Sequence, residues 1–284
     1  FADRAAELSL QFADTRIASV TYDDFDNDFD LDLIAFPAGA APVAWVNFRV
    51  GDFRLLAGTD TGLQVPVATS ATTGDPDQDG DRDLLIFTPD GVRLFLNTGR
   101  FTFEESTEFA AAFGRLRGTG GQFADLDNDG DLDIVIADAT RADGSRGPAL
   151  LLNTSPEFGF VNVLDLDPGN LFDALRTDGD ASCVVADFTG DGRGDVLLAP
   201  VGQPPLLIEN ATAGGHWIQL DLAGVRPQDP VARCSQSAIG ARVEVRTGTH
   251  FQQYVLGGSA GPVASQPLRI HAGPIPHGCA AVEM

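Results

Sequence analysis

Short apolar runs alternate with strongly acidic segments along the first two-thirds of the chain. Four runs of β-branched and large apolar residues each follow a cluster of aspartates, and they occupy residues 33–36, 84–87, 134–136 and 196–198. Runs of this length, bounded by Gly, Pro and polar positions, are typical of buried strands. The sequence shows no long stretch with the 3.6-residue period of an amphipathic helix, so the pattern predicts an all-β protein.

A nine-residue acidic segment precedes each of these strands, and we number the four segments loop 1 to loop 4. They begin at Asp24, Asp75, Asp125 and Asp187. Each offers side-chain oxygens at positions 1, 3, 5 and 9 and a backbone carbonyl at position 7. The candidate metal ligands are Asp24, Asp26, Asp28, Asp30, Asp32, Asp75, Asp77, Asp79, Asp81, Asp83, Asp125, Asp127, Asp129, Asp131, Asp133, Asp187, Thr189, Asp191, Arg193 (through its carbonyl) and Asp195.

Crowded carboxylates of this kind suit a hard cation. Ca²⁺ takes six to eight oxygen ligands at about 2.3–2.6 Å, and it cancels a repulsion that the empty loop would suffer. The pattern therefore predicts about four Ca²⁺ ions. Four solvated acidic turns without metal are the simpler alternative. Catalytic acid–base pairs are disfavoured, because catalytic groups are rarely copied in every repeat.

The loops differ from an EF-hand after position 9. An EF-hand places a bidentate Glu at position 12 and a helix on each side. Position 12 here is Ala35, Ile86, Ile136 or Leu198, each within a predicted strand. The segments are therefore interpreted as loops between two strands.

The loops recur with a long period. Their first aspartates are 51, 50 and 62 residues apart, and an Asn closes a later strand of each unit, at Asn47, Asn97, Asn153 and Asn210. Polar insertions around residues 141–147 and 165–180 account for the longer third unit. Periods of about 40 to 50 residues with several short strands per unit are typical of β-propeller blades.

The loop with its following strand, Asp-x-Asp-x-Asp-Gly-x-x-Asp and then Leu/Ile/Val, resembles the FG-GAP (VCBS-type) repeat over roughly residues 15–212. This resemblance implies a calcium-bearing β-propeller like those of integrin α-subunits and many bacterial surface proteins. Phe29 departs from the pattern because it occupies the Gly position of loop 1, where a bulky residue at positive φ is costly. Thr189 replaces an Asp in loop 4. Since such propellers usually have seven blades, we expect further blades upstream.

Residues 213–284, called the tail here, contain no such loop. The segments Ser237–Val245 and Gln252–Ser259 resemble the ASPIC/UnbV domain, which commonly follows FG-GAP repeats in secreted proteins. The closing Trp-Pro segment of that family is absent, so the domain is expected to be cut short. The predicted organisation is a propeller over residues 1–212, with four calcium-loop blades visible, and a small β-sheet domain over 213–284.

Charge excludes some partners. The formal net charge is −23, and 18 of the 41 acidic residues lie in the four loops. Four bound Ca²⁺ ions would bring the net charge to about −15. A nucleic-acid partner would need basic patches, which are missing. All 18 basic residues are Arg, which excludes Schiff-base lysine chemistry and a Walker-type lysine.

Other candidate chemistry is sparse. Gly257–Gly261 matches a nucleophile elbow around Ser259, but Pro262 stands where the elbow's helix would begin. Cys183 lies in an apolar strand and is expected to be a buried small hydrophobe. Cys234 and Cys279 could form a disulfide in an oxidising compartment. No apolar run is long enough to span a membrane.

These observations favour an exported, non-enzymatic module that binds a protein partner or a surface glycan in an extracellular, periplasmic or cell-surface setting. Two alternatives stay open: an accessory subunit of a larger membrane-bound or surface complex, and an enzyme or biosynthetic accessory of the UnbV type. A His/Asp/Ser pocket would favour the enzyme, and apolar surface buried against a partner would favour the subunit.

Overall fold

The computed structural model describes most of the chain. The described residues are 5–8, 10, 16–48, 51–56, 60–140, 144–154, 159–162, 175–177, 179–212, 217–224, 238, 241–247, 250–256, 269–273 and 281–283. The all-β prediction is confirmed, since strands dominate these residues and the sheets are antiparallel.

Four sheets follow one another along the chain, and in each the strands lie side by side in sequence order. The first sheet contains β1 (Ile17–Asp23), β2 (Asp32–Pro37), β3 (Val43–Asn47) and β4 (Phe53–Leu56). The second contains β5 (Ser70–Gly74), β6 (Asp83–Phe87), β7 (Val92–Asn97) and β8 (Phe103–Glu105). The third contains β9 (Gly121–Ala124), β10 (Asp133–Thr140), β11 (Arg146–Asn153) and β12 (Phe160–Asn162), and the fourth β13 (Ala181–Ala186), β14 (Asp195–Pro200) and β15 (Leu206–Ile208).

The first strands of successive sheets, β1, β5, β9 and β13, are neighbours in space. This is the arrangement of propeller blades around an axis. The core accordingly lies between sheets. In β6, Leu84 and Ile86 pack toward the first sheet, whereas Leu85 and Phe87 pack toward the third. Because both faces are buried, the strand reads as a continuous apolar run rather than an alternating one.

One short helix, α1 (Thr107–Phe113), lies between the second and third sheets within the described residues. Ser106 caps it, accepting a hydrogen bond from the N–H of Phe109 at 3.2 Å. Phe109 is buried and meets the ring of Phe160 edge-on at 5.6 Å. Seven residues are too few for the periodicity that identifies helices in a sequence, so the helix was not predicted. A helix of this length is far too short to cross a membrane.

The described part of the tail forms two small sheets around its own apolar cluster. β16 (Ile218–Asp221) pairs with β19 (Arg269–Ala272), while β17 (Arg242–Thr247) lies between β18 (His250–Val255) and β20 (Ala281–Glu283). The predicted domain boundary falls beside residues 213–216, which lie outside the described residues.

Among the described residues the fourth sheet has three strands, whereas each of the first three has four. In the first three sheets the outermost strand begins at Phe53, Phe103 or Phe160, six or seven residues after the strand-closing Asn. Trp217 stands seven residues after Asn210, so β16 follows the corresponding aromatic position. It pairs with β19 instead of β15, and among the described residues β15 is therefore an edge strand.

Candidate metal centres

Each acidic loop joins the first strand of a sheet to the second. Position 9 begins that second strand and is paired across the ladder with the residue just before position 1, as in Asp23 with Asp32 and Gly74 with Asp83. The same pairing closes loop 3 and loop 4. The two strands thus bring the first and last aspartates of a loop together.

Positions 1, 3 and 9 converge in three loops. Their carboxylate oxygens lie within 4.8 Å of one another in the groups Asp24–Asp26–Asp32, Asp75–Asp77–Asp83 and Asp125–Asp127–Asp133. These acidic clusters can hold a metal ion, and the oxygen-only donor set suits Ca²⁺ better than a soft transition metal.

The position-1 carboxylate is held in the same way in all four loops. Its Oδ2 accepts a hydrogen bond from the N–H of position 6 at 3.1–3.2 Å. The contact requires a left-handed backbone at position 6, where φ is +91° at Gly80 and +98° at Gly130. Phe29 adopts the same conformation in loop 1, at φ +72°, although it carries a side chain. The strain predicted for this position is therefore present.

The position-9 carboxylate accepts two backbone hydrogen bonds in most loops. Its Oδ1 receives the N–H of the strand-closing Asn at 2.7–2.9 Å in every loop. Its Oδ2 receives the N–H of position 2 in loops 1, 3 and 4. Position 2 of loop 2 is Pro76, which has no N–H to donate. Within the described residues, Oδ2 of Asp83 is left buried without a donor.

Other carboxylate oxygens are orphaned at the same centres. Oδ1 of Asp75, Asp125 and Asp127 is buried and has no hydrogen-bond partner among the residues that the structure describes. A buried carboxylate oxygen without a donor is costly, since it has lost water and gained nothing in return. A cation bound between positions 1, 3 and 9 would satisfy these atoms. Loops 2 and 3 therefore fit a metal ion.

The pKa values of the clustered aspartates are raised, first by burial and then by neighbouring like charges. The pKa of Asp32 and of Asp133 is raised to about 8, that of Asp75 to about 7, and that of Asp77 and of Asp127 to about 6. Without a counterion Asp32 and Asp133 hold their protons at neutral pH, whereas Asp77 and Asp127 are mostly ionised there. A bound cation would take the place of those protons.

Loops 1 and 4 depart from this arrangement. Oδ1 of Asp24 already accepts the N–H of Asp28 at 3.0 Å, and Oδ1 of Asp187 accepts the N–H groups of Gly190 and Asp191. In loop 4, Arg193 pairs with Asp191 at 2.8 Å. Burial alone would raise the pKa of Asp195, but hydrogen bonds from Asn210, Thr189 and Phe188 outweigh it and the pKa is lowered. These two loops are satisfied in part by their own backbone and side chains.

The strand-closing Asn residues have a role that the sequence did not reveal. The side-chain amide of Asn97, Asn153 or Asn210 donates to the carbonyl oxygen of position 2 in the preceding loop, at 2.9, 2.8 and 2.6 Å. Each also donates to the carbonyl of position 8 in its own loop. The regular spacing of these residues identified them as landmarks, but only as turn residues.

Position 4 makes a second link between loops. Asn27 donates to the carbonyl of Gly80, Gln78 to that of Gly130 and Asn128 to that of Gly192. Asn27 and Gln78 also donate hydrogen bonds to the position-7 carboxylates of the next loop, Asp81 and Asp131 respectively. In loops 2 and 3 the side chain at position 7 thus serves the contact between loops. The position-7 carbonyl stays a predicted metal ligand.

A family model described as "FG-GAP-like repeat" matches residues 75–136 and 125–198. Both matched segments start at the first aspartate of a loop and end in a second strand of a sheet. Residues 75–198 carry FG-GAP-like repeats. They account for loops 2, 3 and 4, which lie in the matched part. The resemblance of the tail to the ASPIC/UnbV domain stays a prediction.

Solved structures with some likeness include a lectin and a toxin. One concerns the specific recognition of non-reducing terminal N-acetylglucosamine by an Agrocybe aegerita lectin, with 20% identity and a TM-score of 0.42, covering 67% of this chain and 51% of the lectin chain. The other is a Photorhabdus luminescens Tc holotoxin pore, with 21% identity and a TM-score of 0.35, covering 66% of this chain and 9% of the toxin chain. This chain thus spans about half of one and under a tenth of the other, and at this similarity neither informs its ligand. No curated protein sequence matches the chain.

The remaining sequence predictions have mixed outcomes. Cys183 is buried in the apolar cluster between the third and fourth sheets, as predicted, and burial raises the pKa of its thiol to about 12. Cys234, Cys279 and Ser259 lie outside the described residues. The disulfide and the absence of serine chemistry stay predictions.

Proposed function

We propose that this chain is a calcium-stabilised, non-enzymatic binding module that works outside the cytoplasm, in an extracellular, periplasmic or cell-surface setting. The observation that supports it best is the set of buried, partnerless carboxylate oxygens at the centres of loops 2 and 3. Side chains at positions 1, 3, 5 and 9 and the carbonyl at position 7 would hold the ion. Millimolar extracellular calcium would occupy about half or more of even weak sites of this class, whose dissociation constants are about 10⁻⁴–10⁻³ M.

Calcium would stabilise the module by mass action. An ion that binds the folded chain and not the unfolded chain adds about 2.7 kcal/mol per site at a concentration one hundred times its Kd. The amide links between successive loops would then join the stabilised loops into one rigid face. A rigid face of loops supported by sheets is a common platform for recognition.

A protein partner is favoured over a glycan by the edge of the fourth sheet. Among the described residues β15 has no further strand beside it, and Leu207 on it is 49% exposed. An exposed strand edge offers N–H and C=O groups to another extended segment. In the first three sheets an extended segment of the chain fills this place, which indicates the shape of partner that would fit.

Replacing Asp127 should lower the melting temperature with calcium but not without it. Oδ1 of Asp127 has no hydrogen-bond partner among the described residues, so Asp127→Asn removes one negative charge from the candidate metal centre while keeping the side chain's size. We expect the variant to melt at a lower temperature than the parent in calcium. In chelator we expect it to melt at the same or a higher temperature, because one of the clustered charges is gone. Asp90→Asn, at an exposed position, should change neither value.

Calcium titration of the same proteins by calorimetry completes the test. The proposal fails if the parent chain binds no calcium. It also fails if chelator leaves the melting temperature unchanged.

A further inference from the structure

The described strands of the tail contact all four acidic loops. Gln252 on β18 donates through Nε2 to the carbonyl oxygen of Gly130 in loop 3 at 2.6 Å. The backbone carbonyl of Gln253 accepts from Arg82 in loop 2 at 3.3 Å. The two residues of the first contact lie 122 positions apart along the chain, and those of the second lie 171 positions apart.

The outer loops are contacted from the other tail strands. Arg242 on β17 donates to Oδ1 of Asn27 in loop 1 at 2.8 Å and lies over the ring of Phe29 at 5.5 Å. Gln219 on β16 donates to Oδ2 of Asp187 in loop 4 at 3.0 Å. Trp217 packs so closely on Gly192 that a Cβ there would lie 1.7 Å from the indole ring.

Two hydrogen bonds through Gly130 connect the tail to a candidate metal ligand. The N–H of Gly130 donates to Oδ2 of Asp125, and its carbonyl accepts from Gln252. The two groups belong to the peptide bonds on either side of the Gly130 Cα, so the position of the carbonyl depends on where the Asp125 carboxylate holds this residue. Gln219 needs only one hydrogen bond to reach a candidate ligand, because its acceptor is the position-1 carboxylate of loop 4.

Two of the tail's contacts do not involve the carboxylates of the loops. At loops 1 and 3 the tail donates to an amide and a carbonyl oxygen rather than to a carboxylate. Arg242 is in addition paired with Glu244 at 3.3 Å, so its own charge is partly neutralised. A cation that holds the loops in this shape would favour docking, even though it lowers their negative charge.

A cavity of about 170 Å³ lies between the docked tail and loops 2, 3 and 4. Its wall includes Asp75 and Asp125 from the loops and Gln252, Tyr254 and Ile270 from the tail. The tail therefore covers one side of the candidate metal centres and leaves space beside them.

We infer that metal binding by the loops and docking of the tail are linked: the metal-loaded loops form the docking surface for the described residues of β16, β17 and β18, and loss of the metal weakens that docking. This inference rests on the proposed calcium binding. Linkage is reciprocal, so removing a docking contact must also weaken calcium binding, by a factor of about 5 to 150 for typical couplings.

Gln252→Ala tests the linkage on the whole chain. Gln252 is not among the candidate ligands, and Gln64→Ala makes the same chemical change at an exposed position in the second unit. Calcium affinity, measured by competition with a chelating dye, should fall about fivefold or more in Gln252→Ala and stay unchanged in Gln64→Ala. Equal affinities in the two variants would overturn the inference.

Hydrogen exchange of the unmodified chain supplies a second measurement, should Gln252→Ala fail to fold. β16 and β19 form a two-stranded sheet, which is marginally stable without support. Amides of residues 218–221 should exchange about fivefold faster or more in chelator than in calcium. Exchange that chelator does not change, in a chain that binds calcium, overturns the linkage and leaves the proposed function intact. Failure to bind any calcium overturns both.

Discussion

The side-chain amide of Asn153 donates to the carbonyl oxygen of Pro76 at 2.8 Å, across 77 positions of the chain. Asn153 closes a strand of the third sheet, and Pro76 lies in the acidic loop of the second. The bond joins two successive repeats at their candidate metal centres. Equivalent bonds from Asn97 and Asn210 make this contact a property of the repeat.

Asn153→Ala should therefore destabilise the fold through a contact between repeats. It leaves the buried carbonyl of Pro76 without its donor, and an unmade buried hydrogen bond costs about 1–3 kcal/mol. Asn47→Ala is the matched control, since the described bonds of the Asn47 side chain stay within the first unit. Urea unfolding should show the larger loss for Asn153→Ala, and equal losses would contradict a role between repeats.

Arg82→Leu should be far more damaging than a comparable change at the surface. Arg82 is buried and pairs at 3.1 Å with Asp23, which is also buried. The variant therefore leaves the buried Asp23 carboxylate without its positively charged partner. Breaking such a pair costs about 3–5 kcal/mol. Arg54→Leu breaks the exposed pair with Asp52, where about 0–1 kcal/mol is expected. Adding Asp23→Asn to Arg82→Leu should recover part of the loss in free energy of unfolding, and no recovery would argue against the pair.

Phe29 permits a direct test of backbone strain in loop 1. Phe29→Gly and Phe29→Ala both remove the ring that Arg242 covers. Only Gly can adopt the left-handed conformation at φ +72° without strain. The Gly variant should be more stable than the Ala variant by about 1 kcal/mol. A thermal melt in calcium compares the two, and an Ala variant as stable as the Gly variant would show that loop 1 carries no strain.

Without calcium, stability should fall as pH rises. The folded pKa of Asp32 and of Asp133 is raised from 3.8 to about 8, so the folded chain binds more protons than the unfolded chain between these values. The free energy of unfolding therefore decreases from about pH 4 to about pH 8 and levels off above it. Saturating calcium should flatten this dependence, because the ion replaces the protons. Urea midpoints at pH 5 and pH 8, with and without calcium, measure both effects, and a rise with pH in calcium-free buffer would contradict the raised pKa values.

Local chemistry explains why the sequence revealed so much of the fold. An acidic loop and the strand after it occupy about a dozen consecutive residues, and their spacing is visible in the chain. The all-β class, the four loops, the strands that follow them and the strain at Phe29 could all be predicted this way. The convergence of positions 1, 3 and 9 follows from the same local geometry, because one strand pairing closes each loop.

Packing between distant segments decided the rest. The bonds from Asn97, Asn153 and Asn210 to the preceding loop, and from Gln252 to Gly130, join residues 72 to 122 positions apart. The diversion of β16 from the fourth sheet to β19 is of the same kind, since the aromatic residue just before it stands at the same spacing of six or seven residues from the strand-closing Asn as those that start β4, β8 and β12. No short pattern encodes such contacts, because each depends on which segments the whole chain brings together. By itself the sequence therefore determined the repeats and their acidic loops, and only the tertiary structure decided how the loops are joined to one another and covered by the tail.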